Sequence, residues 1–252
     1  MSSSEDKQFF GKVLGIIPAR WGSSRFPGKP LSLIAGVPLI QRTYEQAVRS
    51  KKLDDLIVAT DDDKIYDCVI SFGGKCVMTE MEHPTGSCRV AEDAEKYCLE
   101  AQIIVNIQGD EPCLEPGSID ALVEFMLDDE RTDVITPVFL TSDSEKVFSM
   151  KRAKCVLDSL GNIVYFSRQS IPSLKRDNDF FYYVHCGVYC FRKTFLVSVC
   201  KKPRTDLSIV EDLEQLSFLE YGGKVRALIV NGESPAVDYP EDIEIIEKLL
   251  LY

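Results

Sequence analysis

The stretch Gly15–Lys29, GIIPARWGSSRFPGK, constrains this chain more than any other. Val13 to Ile17 is a short apolar, largely β-branched run, the pattern of a strand buried in a parallel sheet. Pro18 has no N–H to continue a ladder, so the strand is expected to stop there. The loop that follows carries the fixed charges of Arg20, Arg25 and Lys29, the hydroxyls of Ser23 and Ser24, and glycines at 22 and 28. Leaving the C-terminal edge of a strand, such a loop turns N–H groups, hydroxyls and cations into one space, as adjacent phosphates require. It is not a Walker A loop, because Lys29 is followed by Pro30, and no GxGxxG occurs. A nucleoside triphosphate held by another kind of loop is the first hypothesis; an ordinary basic surface loop is the second. Cations grouped this tightly in a chain of net charge −11 favour the first.

The same net charge argues against nucleic acid as a partner, since no basic block offsets it. At 252 residues and 45% hydrophobic, the chain can bury the core of one large α/β domain with an appendage, or of two small ones. Its nine cysteines are odd in number and include no CxxC pair. They read as reduced thiols, with neither a disulfide framework nor a zinc site. MSSSEDKQFF lacks an apolar signal core and no run is long enough to cross a bilayer. The expectation is a soluble, cytoplasmic protein with no membrane partner.

Beyond the loop, apolar stripes and short apolar runs alternate. Val37, Ile40, Tyr44, Ala47 and Val48 recur at helical spacing and predict a buried stripe. Strands are predicted at 56–60 and 76–78, with Asp61 to Asp63 able to cap the helix between them and Gly73–Gly74 ending it. This βαβαβ order implies parallel strands and right-handed crossovers, hence an α/β fold doubly wound about a mostly parallel sheet. A clean strand follows at 103–107, then a helix at 118–127 and a strand at 134–138. From about 145 to 185 the pattern changes. The runs 155–157 and 163–166 flank the turn sequence Asp158–Asn162 and predict a small β-rich excursion from the main sheet, covering the site or building a dimer interface. Residues 183–191 return as one strand, 207–221 form one acidic amphipathic helix, and 225–230 form the last strand. A terminal helix over 240–250 turns Ile243, Ile246, Leu249 and Leu250 inward. No linker divides the chain, so residues 1–252 read as a single domain.

Asp110 follows the strand 103–107 directly, at the edge where open parallel sheets bind ligands. Asp238 stands between the last strand and the last helix. If those loops converge, two carboxylates facing a triphosphate suit Mg²⁺, which prefers oxygen ligands and keeps phosphate and water in its shell. The other reading of Asp238 is a helix N-cap, for which Tyr239–Pro240 is suitable. Alternation places Tyr183, His185, Gly187 and Tyr189 on one strand face, left open at Gly187. That face either receives a ligand or is a half-buried sheet surface. Alternation points Glu111 away from Asp110, His83 reads as a loop-ordering residue, and Glu211, taken alone, reads as solvent-facing.

Seven motifs then fall in one family's order along nearly the whole chain: IIPARWGSSRFPGKPL (16–31), ATD (59–61), NIQGDEP (106–112), VLDSLGNIVYFSR (156–168), HCGVY (185–189), LEQL (213–216) and VDYPEDI (237–243). The chain resembles the 3-deoxy-D-manno-octulosonate (Kdo) cytidylyltransferases, or CMP-Kdo synthetases, within the wider CMP-sugar synthetase group. The resemblance implies a nucleotide-diphospho-sugar transferase type of fold. It implies transfer from CTP to the anomeric 2-hydroxyl of Kdo with release of diphosphate, for lipopolysaccharide biosynthesis. Arg20, Ser23, Arg25 and Lys29 would hold the CTP phosphates, the backbone at Pro18 and Ala19 would read cytosine, and Arg89 and Gln108 would join that site. Asp110 and Asp238 would hold Mg²⁺, with Arg20 and Lys29 catalytic beside them. Gln108, Arg168, His185, Tyr189 and Glu211 would form the sugar pocket, Arg168 facing the sugar carboxylate. Residues 12–144 would be mainly the CTP-binding half, and 145–252 mainly the sugar-binding and dimerisation half of a homodimer. A synthetase for sialic acid or another nonulosonate is the alternative, since those sugars are also α-keto acids.

The chain also departs from the pattern it resembles. HxxGTxR is represented by His83-Pro84-Thr85-Gly86-Ser87-Cys88-Arg89, where Cys88 replaces a frequent glutamate. Ser208 stands for another glutamate, and Ser217 replaces an arginine after LEQL. These changes are expected at pocket edges or dimer contacts.

Overall fold

The structure is a computed structural model that describes residues 11–22, 26–173 and 180–250. Its first half alternates as the periodicity requires. β1 (Val13–Ala19) is followed by the small ribbon β2 (Leu33–Ile34) and β3 (Val37–Pro38), α1 (Leu39–Ala47), β4 (Asp55–Thr60), α2 (Asp63–Ser71), β5 (Cys76–Met78), α3 (Gly86–Lys96), β6 (Ile103–Ile107) and α4 (Pro116–Asp128). The second half holds β7 (Val134–Thr141), α5 (Ser144–Phe148), β8 (Lys154–Leu157), β9 (Ile163–Ser167), β10 (Tyr182–His185), β11 (Val188–Arg192), α6 (Lys193–Cys200), α7 (Asp206–Val210), α8 (Gln215–Glu220), β12 (Val225–Ile229) and α9 (Asp242–Leu250).

One sheet runs in the order β5-β4-β1-β6-β11-β7-β10-β8-β9, with β12 on β7. β5, β4, β1 and β6 are parallel neighbours, as the crossover pattern predicts. Antiparallel pairing enters with β11, which lies between β6 and β7. Two apolar clusters, one on each face, bury this sheet: Leu14, Ile16, Ile57 and Phe191 belong to one, and Ile17, Val58, Val105 and Ile135 to the other.

Several boundaries differ from the sequence pattern, each for a physical reason. β1 runs past Pro18 to Ala19 along β4, while its pairing with β6 ends at Ile16. Beyond Ile16 one side of β1 needs no donor, so proline is tolerated. The hairpin β8–β9 is not an excursion from the sheet: β8 pairs with β10 and extends it. Residues 183–191 divide at Cys186–Gly187, where the chain leaves β8 and joins β6 while keeping β7 on its other side. The helix predicted over 207–221 breaks into α7 and α8 at Asp212, whose φ of 51° lies in the left-handed region. Val48 and Leu249, assigned inward by spacing, are 54% and 53% exposed, because each sits at a helix end past the core it was to cover.

One costly buried group is Asp93 on α3. It is fully buried, neither carboxylate oxygen has a partner, and burial, then the Glu92 charge, push its pKa up to about 8. A folded-state pKa raised above the unfolded value means stability is lost as pH rises through the window from about 4 to about 8. Asp93→Leu is therefore expected to raise the melting temperature at pH 8 by about 4 °C or more, and to gain little at pH 4. Equal melting curves for the two proteins at pH 8 would show that this carboxyl has a buried partner.

Candidate active site

The C-terminal ends of β1 and β6 open onto two adjoining cavities of about 200 and 340 Å³. Pro18, Ala19, Arg20, Lys29, His83, Arg89 and Gln108 line the first. Glu111, Arg152, Arg168, His185, Tyr189, Glu214, Gln215 and Asp238 line the second. Arg20, Thr85, Gly86, Gln108 and Asp110 line both, so they form the junction where two bound substrates would meet.

Lys29 closes the basic loop onto that junction. Its ammonium lies 2.5 Å from the Asp110 carboxylate and 2.9 Å from the Val237 carbonyl. The Val237 amide donates in turn to the Asp110 carbonyl at 2.9 Å. Two loops more than a hundred residues apart are thereby tied together, and Asp238 follows directly. Lys29 reaches this position because Gly28 turns the chain at φ 70°, beneath the Trp21 ring, where a Cβ would sit 3.1 Å from the indole. Ser23 and Arg25 lie outside the described residues. Among the described residues no three of His, Cys, Asp and Glu form a metal-binding group. The carboxylates of Asp110 and Asp238 both line the second cavity.

In the second cavity, His185 is buried on β10. Thr136 Oγ1 lies 2.7 Å from the Val188 carbonyl oxygen and gives it its single proton, so His185 Nε2–H donates to Thr136 Oγ1, also at 2.7 Å. The ring is neutral: burial, then the Arg152 charge, push its pKa down to about 3. Nδ1 is left as an acceptor. Tyr189 stacks beside it, with centroids 5.1 Å apart. Glu111, which alternation turned away, instead faces this cavity at 2% exposure. Its Oε1 accepts from the Gly187 amide at 2.8 Å, and Oε2 has no partner. Desolvation raises its pKa to about 7. A Cβ on Gly187 would come within 2.6 Å of that Oε1 and 3.2 Å of Gln108 Cγ. Gly187→Ala is therefore expected to break the amide–carboxylate bond and raise the KM of the second substrate about tenfold or more, with the fold retained by circular dichroism. Unchanged kinetics would show that Glu111 moves at no cost.

Residues 14–229 match the family model described as cytidylyltransferase, which is most of the chain. The chain belongs to the cytidylyltransferase family. A 3-deoxy-manno-octulosonate cytidylyltransferase of Chlamydia abortus is 48% identical over 247 residues, covering 98% of this chain and 96% of the relative. That of Chlamydia pneumoniae is 50% identical over 238 residues, covering 94% and 93%. A solved CMP:2-keto-3-deoxy-manno-octonic acid synthetase complexed with CTP superposes with a TM-score of 0.89 at 36% identity, over 96% of this chain and 99% of that one. The chain is a member of the 3-deoxy-manno-octulosonate group of cytidylyltransferases.

Three of the cytidylyltransferase's basic and acidic candidates carry structural contacts that their side chains alone did not announce, and of these Glu211 is not among the cavity lining. Arg89 borders the first cavity, but its guanidinium is buried against Asp61 at 2.7 Å and also bonds Thr79 and the Glu80 carbonyl. It braces the cavity wall. Arg168 lines the second cavity while donating to the carbonyls of Met150, Lys151, Glu211 and Asp212. Much of its hydrogen-bonding capacity is spent on backbone, so it shapes that wall as well as charging it. Glu211 is neither solvent-facing nor among the lining residues. Its carboxylate accepts from Ser167 Oγ and the Arg168 amide at 2.8 and 3.0 Å, because the break at Asp212 turns it toward β9.

Sequence reading missed a polar string across the cleft floor. Gln108 donates to Asn106, Asn106 to Ser87, and Ser87 to Glu214, at 3.3, 3.0 and 2.8 Å. Its one local signal was a buried asparagine inside an otherwise apolar strand. His83, by contrast, does order its loop, through Glu92 at 2.5 Å. Cys88 and Ser217, two of the departures, line one further small cavity beside the cleft.

Proposed function

We propose that this cytidylyltransferase joins CTP to Kdo, the sugar's anomeric 2-hydroxyl attacking the α-phosphorus of CTP and diphosphate departing. The single observation that carries the reading is the junction of two cavities, where Arg20, Lys29 and Asp110 converge. CTP occupies the first cavity, with cytosine against the Pro18–Ala19 backbone and the phosphates on Arg20 and Lys29, together with Ser23 and Arg25. Kdo occupies the second cavity. Its hydroxyls meet the His185 acceptor, Tyr189 and Gln108, and its carboxylate meets the cations on that wall, Arg168 among them.

Little covalent work falls to the protein; positioning and charge stabilisation dominate such transfers. Arg20 and Lys29 neutralise charge that develops on the transferring group and on the departing diphosphate. The oxygen-only pair Asp110 and Asp238 fits Mg²⁺, and the Lys29 ammonium on Asp110 marks the place as one that attracts a cation. Bound there, Mg²⁺ would supply Lewis-acid polarisation of the phosphate and lower the pKa of an attacking hydroxyl. No titrating histidine is needed, consistent with a His185 ring that stays neutral.

No described helix is long and apolar enough to cross a membrane. We place the reaction in the cytoplasm, serving lipopolysaccharide biosynthesis, and the working unit as a homodimer. Incubation with CTP, Mg²⁺ and Kdo is expected to release diphosphate and give CMP-Kdo, with sialic acid turned over at least about 10²-fold less efficiently. Preferential turnover of sialic acid would replace Kdo with a nonulosonate as the substrate.

A further inference from the structure

Cys88 and Cys200 lie 112 residues apart in sequence and meet where α3 begins and α6 ends. Cys88 is the third residue of α3, inside the first turn, whose N–H groups favour a negative charge. Thr85 Oγ1 caps that turn, accepting from the Cys88 amide at 3.2 Å and donating to the Cys88 sulfur at 3.3 Å. The Cys88 sulfur also lies 4.0 Å from the Cys200 carbonyl oxygen, with the Cys200 side chain beside it. Both cysteines are half-buried and line one small surface cavity, together with Lys202, Arg204 and Glu214.

We propose that Cys88 is a site of reversible thiol–disulfide modification, with Cys200 as the resolving thiol and a small glutathione-type disulfide as the oxidant. The Cys88 thiolate attacks one sulfur of the small disulfide, whose S–S bond breaks, and the departing thiolate takes a proton from water. Cys200, having given its proton to water, attacks the Cys88 sulfur of the mixed disulfide and expels the second small thiol. Two protein thiols are oxidised to one intramolecular bond and one small disulfide is reduced to two thiols, so electrons and protons balance.

The two sulfurs are suited to these unequal roles. The neighbouring Cys200 side chain, helped by Thr85, holds Cys88 below the ordinary thiol range, while burial and Glu214 oppose it. The Cys200 thiol is raised, chiefly by the Cys88 side chain. That contribution disappears once Cys88 is a neutral mixed disulfide, which leaves only burial and Glu214 raising the second attacking thiol. The remaining half-buried thiols, Cys68 and Cys113, are raised by burial, and Cys76, Cys98, Cys155, Cys186 and Cys190 are buried. Selectivity for Cys88 follows from thiolate fraction and access together.

The modification reaches the cleft through α3. A disulfide of ~2.05 Å between these sulfurs fixes α3's first turn to the end of α6. That turn carries Thr85 and Gly86 at the junction of the two cavities, and Ser87, which holds Glu214. A displacement of about 1 Å there is expected to cost about tenfold or more in kcat/KM.

The test exposes the full-length protein to glutathione disulfide, blocks residual thiols and maps the cysteines by peptide mass spectrometry. The expected result is a Cys88–Cys200 bond in the wild type, a glutathione adduct on Cys88 in Cys200→Ser, and full reversal by dithiothreitol. Modification first at Cys68 or Cys113, or a lasting adduct on wild-type Cys88 with no link to Cys200, would overturn the proposal. This mapping does not depend on the assigned reaction. Diphosphate release from CTP, measured before and after oxidation, reads the coupling to the cleft. A linked protein with unchanged turnover would overturn that coupling and leave the assigned reaction standing.

Discussion

Asp110→Asn is expected to lower kcat for diphosphate release by about 10³-fold or more while leaving the melting temperature within about 2 °C of the wild type. The substitution keeps the side chain's size and the backbone bond from the Val237 amide to the Asp110 carbonyl, so the two loops stay joined. It removes the charge that meets Lys29 at 2.5 Å in a partly exposed pair, which costs little stability. The loss in rate comes from elsewhere. A neutral amide would be a poor ligand for a hard divalent cation and grips the Lys29 ammonium less firmly than the carboxylate does. Near-normal turnover from a folded Asp110→Asn protein would remove Asp110 from the reaction. A large fall in melting temperature would show instead that its charge holds the loops together.

Lys154→Met is expected to destabilise the fold by about 3–5 kcal/mol, a fall of roughly 10 °C or more for a chain of this size. Lys154 is fully buried, yet its ammonium donates to the carbonyls of Ser149 and Arg152 at 2.6 and 2.8 Å and also to that of Arg168. Burial, then the Arg168 charge, push its pKa down to about 8. Methionine fills the space and leaves three carbonyls without that donor. Because the folded-state pKa is depressed, the unfolded chain binds the extra proton between about pH 8 and 10.5, so this group's contribution makes stability rise with pH across that window. The variant should lose that rise. Its kinetic effect is expected on whatever substrate the second cavity takes, since Lys151, Arg152 and Arg168 all line it. A melting temperature within about 2 °C of the wild type would show that water satisfies those carbonyls.

Much of the first half of the chain is legible in the amino-acid order. The run Ile103–Ile107 is a strand with those same bounds, Asp62 caps α2, and Gly73–Gly74 ends that helical segment, since each depends on neighbours a few residues away. The proline at 18 and the helix over 207–221 were misread for a shared reason. Whether β1 needs a donor at Pro18 depends on where β6 stops, and whether a helix continues through Asp212 depends on what Glu211 and Arg204 hold. Neither fact is local.

The sequence by itself determined the parallel core, the cationic loop at its edge and the residue types able to handle phosphate and a hard cation, because hydrophobic period and side-chain chemistry are properties of short stretches. The tertiary structure alone decided that Lys29 joins Asp110 to Val237, that Ser87 reaches Glu214, that Glu111 turns into the cleft and that Cys88 meets Cys200. Those contacts span tens to more than two hundred residues. They are set by how strands order in the sheet and by which side chains must pair once water is excluded, and no local periodicity encodes either.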